Sequence, residues 1–261
     1  LTVSPDLNIV SMFNDNKITS YVQKSNHLIF GIEYDLLRNL SFNLEVYYKT
    51  MSNMANANKD KLFADDKEHE SKPEYLRKEY IIENGNAYGG DVSLKYDNGR
   101  LYVWAIYSLG KVTKENEIFT YAPHYDRRHN VNILCNYQFG MDRSFELSLR
   151  WNYGSGFPFT PTASMMEYVD WSDGMSTDWI NQNGTLTTIY GDLNSKRLPD
   201  YHRFDISAKK RFDIGKRSIL EINLSVTNVY NRNNLFYVNR ITSERVDQLP
   251  IMPSLGVSCT F

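Results

Sequence analysis

The feature that most constrains this chain is the length over which its residues alternate. Across 143–155, Phe145, Leu147, Leu149, Trp151 and Tyr153 fall on one side of an extended backbone. Ser144, Glu146, Ser148, Arg150 and Asn152 fall on the other. Successive side chains of a strand point to opposite faces, so a period of two predicts a β-strand. Its length says more. Globular strands average about 5–6 residues, whereas a strand that crosses a bilayer needs about 9–11.

The same pattern recurs. Residues 127–139 put Val131, Ile133, Cys135, Tyr137 and Phe139 opposite Asn130, Asn132, Asn136 and Gln138, with Leu134 the one exception. Residues 201–214 and 217–230 form a second hairpin, and 25–36 with 39–52 a third. Residues 85–97 and 100–112 meet at Asp97-Asn98-Gly99-Arg100, an Asn-Gly hairpin signal. With 249–261 the reading gives nine strands, and residues 1–13 are read as the end of a tenth. The links sort by length. Leu37–Asn39, Asp97–Gly99, Gly140–Asp142 and Gly215–Lys216 are short, while 53–84, 113–126, 156–199 and 231–248 are long. Short turns on one side and long loops on the other are the asymmetry of an outer-membrane barrel. A soluble sandwich has no reason to segregate them.

Composition supports the same choice. Aromatic residues make up 14%, with 19 Tyr, 13 Phe and 4 Trp, a load suited to boundaries between oily and wet regions. A mean hydropathy of −0.50 does not oppose membrane residence, because alternating strands average out to polar. No run approaches the roughly 20 apolar residues of a membrane helix, so membrane residence has to be as a barrel. The formal net charge of −2 offers no overall basic surface for nucleic acid. Cys135 and Cys259 are expected as free, small hydrophobes. The chain opens at Leu1, without a signal-peptide pattern, and reads as a fragment or a processed product.

The chain ends Ser254-Leu255-Gly256-Val257-Ser258-Cys259-Thr260-Phe261. This resembles the C-terminal signal read by the bacterial barrel-assembly machinery, with Ser254, Gly256, Cys259 and Phe261 in its four slots. Cys259 stands where an aromatic is usual. Upstream come Ala87–Leu94, Tyr125-Asp126-Arg127-Arg128-His129-Asn130, Tyr153–Pro161, Leu198–Asp205 and Thr227-Asn228-Val229-Tyr230-Asn231, in that order. Together they resemble the C-terminal barrel region of TonB-dependent outer-membrane receptors of Bacteroidetes type, over nearly the whole chain from about residue 20.

The resemblance implies an all-β, antiparallel transmembrane β-barrel of which residues 1–261 supply about nine to ten C-terminal strands of a roughly 22-stranded barrel. The plug and the N-terminal strands are not in this sequence. It implies import across the bacterial outer membrane of a scarce, bulky ligand: an iron chelate, cobalamin, a glycan or a peptide. The expected partners are outer-membrane lipid and lipopolysaccharide, the remaining strands and plug in the same or another chain, TonB through the absent N-terminal region, the barrel-assembly machinery and, in some cases, a surface lipoprotein. The rival readings are a passive porin or adhesin barrel and a secreted carbohydrate-binding β protein.

No enzyme is expected, because no nucleophile, base and acid cluster in the sequence. Neither a cofactor nor a metal is expected. His27, His69, His124, His129 and His202 lack ligand spacing, and Asp170, Asp173 and Asp178 read as a solvated loop rather than a Ca²⁺ site. Ligand-binding candidates are Tyr168, Trp171 and Trp179 in the longest loop, with Arg127 and Arg128 at the end of a strand. The competing reading of Arg128 is a wall salt bridge with Asp205, Glu146 or Glu221.

Overall fold

The computed structural model describes residues 12–14, 17–19, 22–57, 67, 70–71, 77–116, 118–168, 185–214, 218–239 and 244–261. Nine long strands follow one another: β1 Lys24–Leu37, β2 Leu40–Ala57, β3 Tyr80–Asp97, β4 Leu101–Glu115, β5 His129–Phe139, β6 Phe145–Gly154, β7 Tyr201–Ile214, β8 Ser218–Thr227 and β9 Met252–Thr260. Each pairs antiparallel with its neighbours in sequence, so the sheet is a simple meander from β1 to β9. Among the described residues β1 and β9 each have one long neighbour. The end of a tenth strand expected over residues 1–13 falls almost wholly outside the described residues, of which Met12–Asn14 pairs with Lys17–Thr19 in a separate two-stranded piece.

Register converts the alternation into two faces. Leu149 stands opposite Ile206 on β7 and Cys135 on β5, and Leu147 opposite Ala208 and Tyr137. Arg150 stands opposite Asp205 and Leu134, and Ser148 opposite Ser207 and Asn136. The apolar face is uncovered. Leu28 is 71% exposed and Leu255 66%. The only buried hydrophobic residues among those described are Ala87 and Tyr121. A soluble sandwich buries such a face against a second sheet; among the described residues no second layer lies over it. Leu134, the exception in the pattern, sits on the polar face across from Trp104, whose indole Nε1 donates to Ser93 Oγ at 2.8 Å.

Aromatic residues mark two levels on the apolar face. Near the short turns, Tyr137, Phe139 and Phe145 touch in sequence, with ring centroids 4.5 and 5.4 Å apart. Near the long connections, Trp151 stacks on Tyr153, Tyr107 donates to or accepts from His129 at 2.8 Å, and His202 bonds Tyr230 at 2.7 Å. From Phe145 to Tyr153 is eight residues, about 26 Å of strand, or near 20 Å after a tilt of about 40°. That matches a hydrocarbon band bounded by aromatic belts.

The short turns are tight. In the β3–β4 turn, Gly99 has φ +82°, Asp97 Oδ1 accepts its N–H, and Asn98 Oδ1 accepts from Arg100 and Leu101. Cys135 and Cys259 are free. Two strands outrun their expected ends: β2 reaches Ala57 and β3 starts at Tyr80. A bulge between Met51 and Met54, with Asn53 at φ +59°, shifts the register there. Past the bulge the alternation restarts out of phase, so a single period read from the sequence stops short.

Candidate functional site at the loop-end rim

Four long connections leave the same end of the sheet, after β2, β4, β6 and β8. At and beside their bases lies a set of buried polar groups, the reverse of the exposed apolar wall. Glu83, Asp126 and Asn228 are 1%, 1% and 0% exposed. An ionised group can be buried only if its hydrogen bonds are replaced, and each of the three has a full set of partners.

Asp126 ties two loops together. Its Oδ1 accepts the Val112 N–H at 2.7 Å, and its Oδ2 accepts from Arg128 Nε at 3.1 Å and from Arg197 Nη2. Arg197 Nη1 also donates to the carbonyls of Asp126, at 2.9 Å, and Gly156, at 3.0 Å. One guanidinium thus holds the β4–β5 connection against both ends of the β6–β7 connection. Asn194 adds a second tie, donating from Nδ2 to the Ala122 carbonyl at 2.8 Å. Gly156 faces the Leu198 backbone so closely that a Cβ would lie 2.6 Å from the Leu198 carbonyl carbon. Asp200 closes the same loop, accepting from Tyr153 at 2.8 Å and from the Gly156 N–H at 3.0 Å. These bonds, led by that from Tyr153, hold its carboxyl below the usual range.

Glu83 accepts from Tyr121 at 2.7 Å, Asn56 at 3.1 Å and Lys114 at 3.2 Å. Burial, then the bond to Glu83, raises the Tyr121 phenol well above its ordinary value. Asn228, at φ +56°, spans the last connection. Its amide donates to the carbonyls of Arg232 and Leu249, its oxygen accepts from the Arg232 N–H, and its own N–H bonds Asp205. Asn is tolerant of this left-handed backbone, which gives the Thr227–Asn231 motif a physical reason.

Arg127 and Arg128 both belong to this rim. Arg128 does not join the wall: its partner is Asp126, while Asp205 pairs with Arg203 and Glu146 with Lys209. The expectation of a bridge to Asp205, Glu146 or Glu221 is therefore corrected. The short span to Asp126 and the arrival of Arg197 hold Arg128 above the strand. Arg127 lies on the polar face, its guanidinium 4.2 Å from the Phe157 ring centroid and 5.9 Å from that of Tyr201. It occupies the space over Gly154, where a Cβ would be 2.5 Å from Cζ and 2.7 Å from Nε.

Tyr168 ends a hairpin arm, pairing through its backbone with Thr185, and its strand is not among those that form the rim cluster. Trp171 and Trp179 lie outside the described residues, as do Asp170, Asp173 and Asp178. Among the described residues no group of His, Cys, Asp and Glu is arranged to hold a metal. At the C-terminus, Ser254 hydrogen-bonds Ser225 at 2.6 Å on the polar face, Gly256 stands opposite Asn223 and Cys259 opposite Leu220, and Phe261 is 93% exposed.

No protein-family model matches the chain, and no curated protein is similar to it. Solved structures are. The ferric-catecholate import receptor Fiu of Escherichia coli K12 superimposes with a TM-score of 0.58 over 95% of this chain and 29% of its own, at 14% identity. The ferripyoverdine receptor of the Pseudomonas aeruginosa outer membrane does so with a TM-score of 0.58 over 91% of this chain and 27% of its own, at 13% identity. The fold is that of an outer-membrane receptor barrel. The apolar face is then the lipid-facing surface of that barrel, and the polar face its lumen. The FpvAI–pyocin S2 complex matches equally, with a TM-score of 0.59 over 91% of this chain and 27% of its own, at 13% identity. This chain spans less than a third of the receptors it matches.

Proposed function

We propose that this chain is the C-terminal part of the barrel of a TonB-dependent receptor that imports a bulky, scarce ligand through the outer membrane. One observation carries the reading: a nine-strand meander with its apolar face uncovered and its long connections gathered, and pinned together, at one end. Lipid tolerates no unpaired strand edge, so β1 and β9 require further strands to close a barrel, and a plug would occupy the lumen. Fiu and the ferripyoverdine receptor carry iron complexes in their names, which favours an iron chelate over cobalamin, a glycan or a peptide. Arg127 and Arg128, at the luminal side of the rim, are the ligand-facing candidates, with Tyr168, Trp171 and Trp179 on the longest loop. Ser254, Gly256, Cys259 and Phe261 serve barrel assembly. The rim chemistry binds and positions, and among the described residues it holds no catalytic constellation.

The test is genetic. A strain lacking this gene and a strain lacking TonB should show the same growth defect on the ligand's scarce nutrient, iron first, with the protein recovered from outer membranes only in detergent. Recovery as a soluble monomer, or uptake that persists without TonB, overturns the reading.

A further inference from the structure

Arg127 differs from the other arginines of the rim. Arg128 and Arg197 share Asp126, and Arg232 donates to the Asp200 carbonyl at 3.1 Å. No carboxylate or carbonyl among the described residues accepts from Arg127, and its Nε, like that of Arg232, is buried without a hydrogen-bond partner. Asp200, next to Tyr201, is already engaged by Tyr153 and the Gly156 N–H. Asp126 is thus shared by two guanidiniums and Asp200 is already engaged, which leaves the charge of Arg127 without a carboxylate partner among the described residues. Two rings and a glycine notch hold the Arg127 guanidinium in place. Leaving a half-buried guanidinium without an acceptor is costly, and holding it preoriented lowers the cost of binding an acceptor later.

We propose that the Arg127 guanidinium, held by Phe157, Tyr201 and the notch at Gly154, is a receptor site for an oxyanion carried by a solute arriving from the loop side. The chemistry is that of a carboxylate or phosphate group, which the planar fork of an arginine grips with paired N–H donors. Aromatic stacking fixes the plane of the fork without neutralising its charge. This deepens the receptor reading by naming the chemical handle of the ligand, and it rests on that reading for the direction of approach.

The experiment is arginine labelling of the full-length receptor in outer-membrane vesicles with phenylglyoxal, read by peptide mass spectrometry. Arg203, clamped on Asp205 at 2.9 Å, serves as the internal reference. Arg127 should label readily. Citrate or inorganic phosphate, added separately at matched ionic strength, should slow its labelling several-fold while leaving Arg203 unchanged. The two anions tell carboxylate from phosphate. In a Gly154→Ala receptor, whose added Cβ displaces the guanidinium, labelling should persist and anion protection should fall. Equal labelling of Arg127 with and without both anions overturns the proposal. So does failure of Arg127 to label when no anion is added, which assigns the site to one of the receptor's own groups. Protection that survives Gly154→Ala undiminished overturns the role of the cage. None of these readouts needs transport, so a receptor that fails the TonB test can still pass this one, and the reverse.

Discussion

Between Phe145 and Tyr153 every second side chain faces out and stays half-exposed, while a short walk away at the rim an aspartate, a glutamate and an asparagine are all but sealed from solvent. The wall is held by its backbone ladder, each strand bonded to the next, and its side chains need only match their surroundings: apolar toward lipid, polar toward the lumen. Among the described residues the rim has only short two-stranded ladders, such as Pro158–Phe159 against Lys196–Arg197, and none joins one connection to the next. Its connections are fixed by individual side chains, Asp126, Arg197 and Asn228, each with several named partners. In the wall, position in the period sets the residue. In the rim, the partner sets it. Substitutions in the wall should therefore act through transfer between media, and those in the rim through groups left unpaired.

The largest effect is expected at Asp126. Asp126→Ala strands Arg128 and Arg197 and frees the Val112 N–H, a loss of about 3 kcal/mol for a buried pair once the one-third exposure of both arginines is discounted. External protease should then cut within 116–128 and 155–200 while the barrel stays folded. Leu149→Arg, in mid-strand on the lipid face, should cost about 2–4 kcal/mol in denaturant unfolding from bilayers. Ser148→Arg, one residue along and facing the lumen, should cost far less. Equal losses at the two positions would erase the distinction between the faces. Asn228→Ala removes a buried amide with three side-chain bonds and should cost about 1–3 kcal/mol, seen as faster proteolysis of 228–251.

The smallest effect is pH-linked. The carboxyl of Asp200 is held below its ordinary value, so its contribution is fully present above the unfolded value of about 3.9 and is lost as pH falls through the lower folded value. Nicking of 155–200 should rise only below that range, and Asp200→Asn should remove the pH dependence. A rise near neutral pH would point to another group.

This division also decides what could be read from the sequence. Nine strands were legible because period-two alternation over ten residues has few other causes, and because links of contrasting length place the strand ends. The outer parts of β2 and β3 were not, since the bulge at Asn53 breaks the phase. Leu134 looked like an error in the pattern until Trp104 appeared across from it on the same face. At the rim, Arg127 and Arg128 could be picked out as a charged pair at a strand end. The tie through Arg197 could not, because Arg197 reaches Asp126 from 71 residues away and nothing periodic links them. Glu83 gave no signal either. Its burial depends on Tyr121 and Lys114, which meet it only once β3, β4 and the following connection are paired.

The central claim is that the alternating wall has lipid on one face and the lumen on the other. The direct measurement is a spin-label scan of residues 145–154 in the outer membrane, with Cys135 and Cys259 replaced by serine, reading accessibility to oxygen and to a water-soluble nickel chelate at each position. The account predicts a period of two: 145, 147, 149, 151 and 153 accessible to oxygen and shielded from nickel, with the even positions shielded from oxygen. Odd positions shielded from both reagents, as in the dry core of a soluble sandwich, would contradict it.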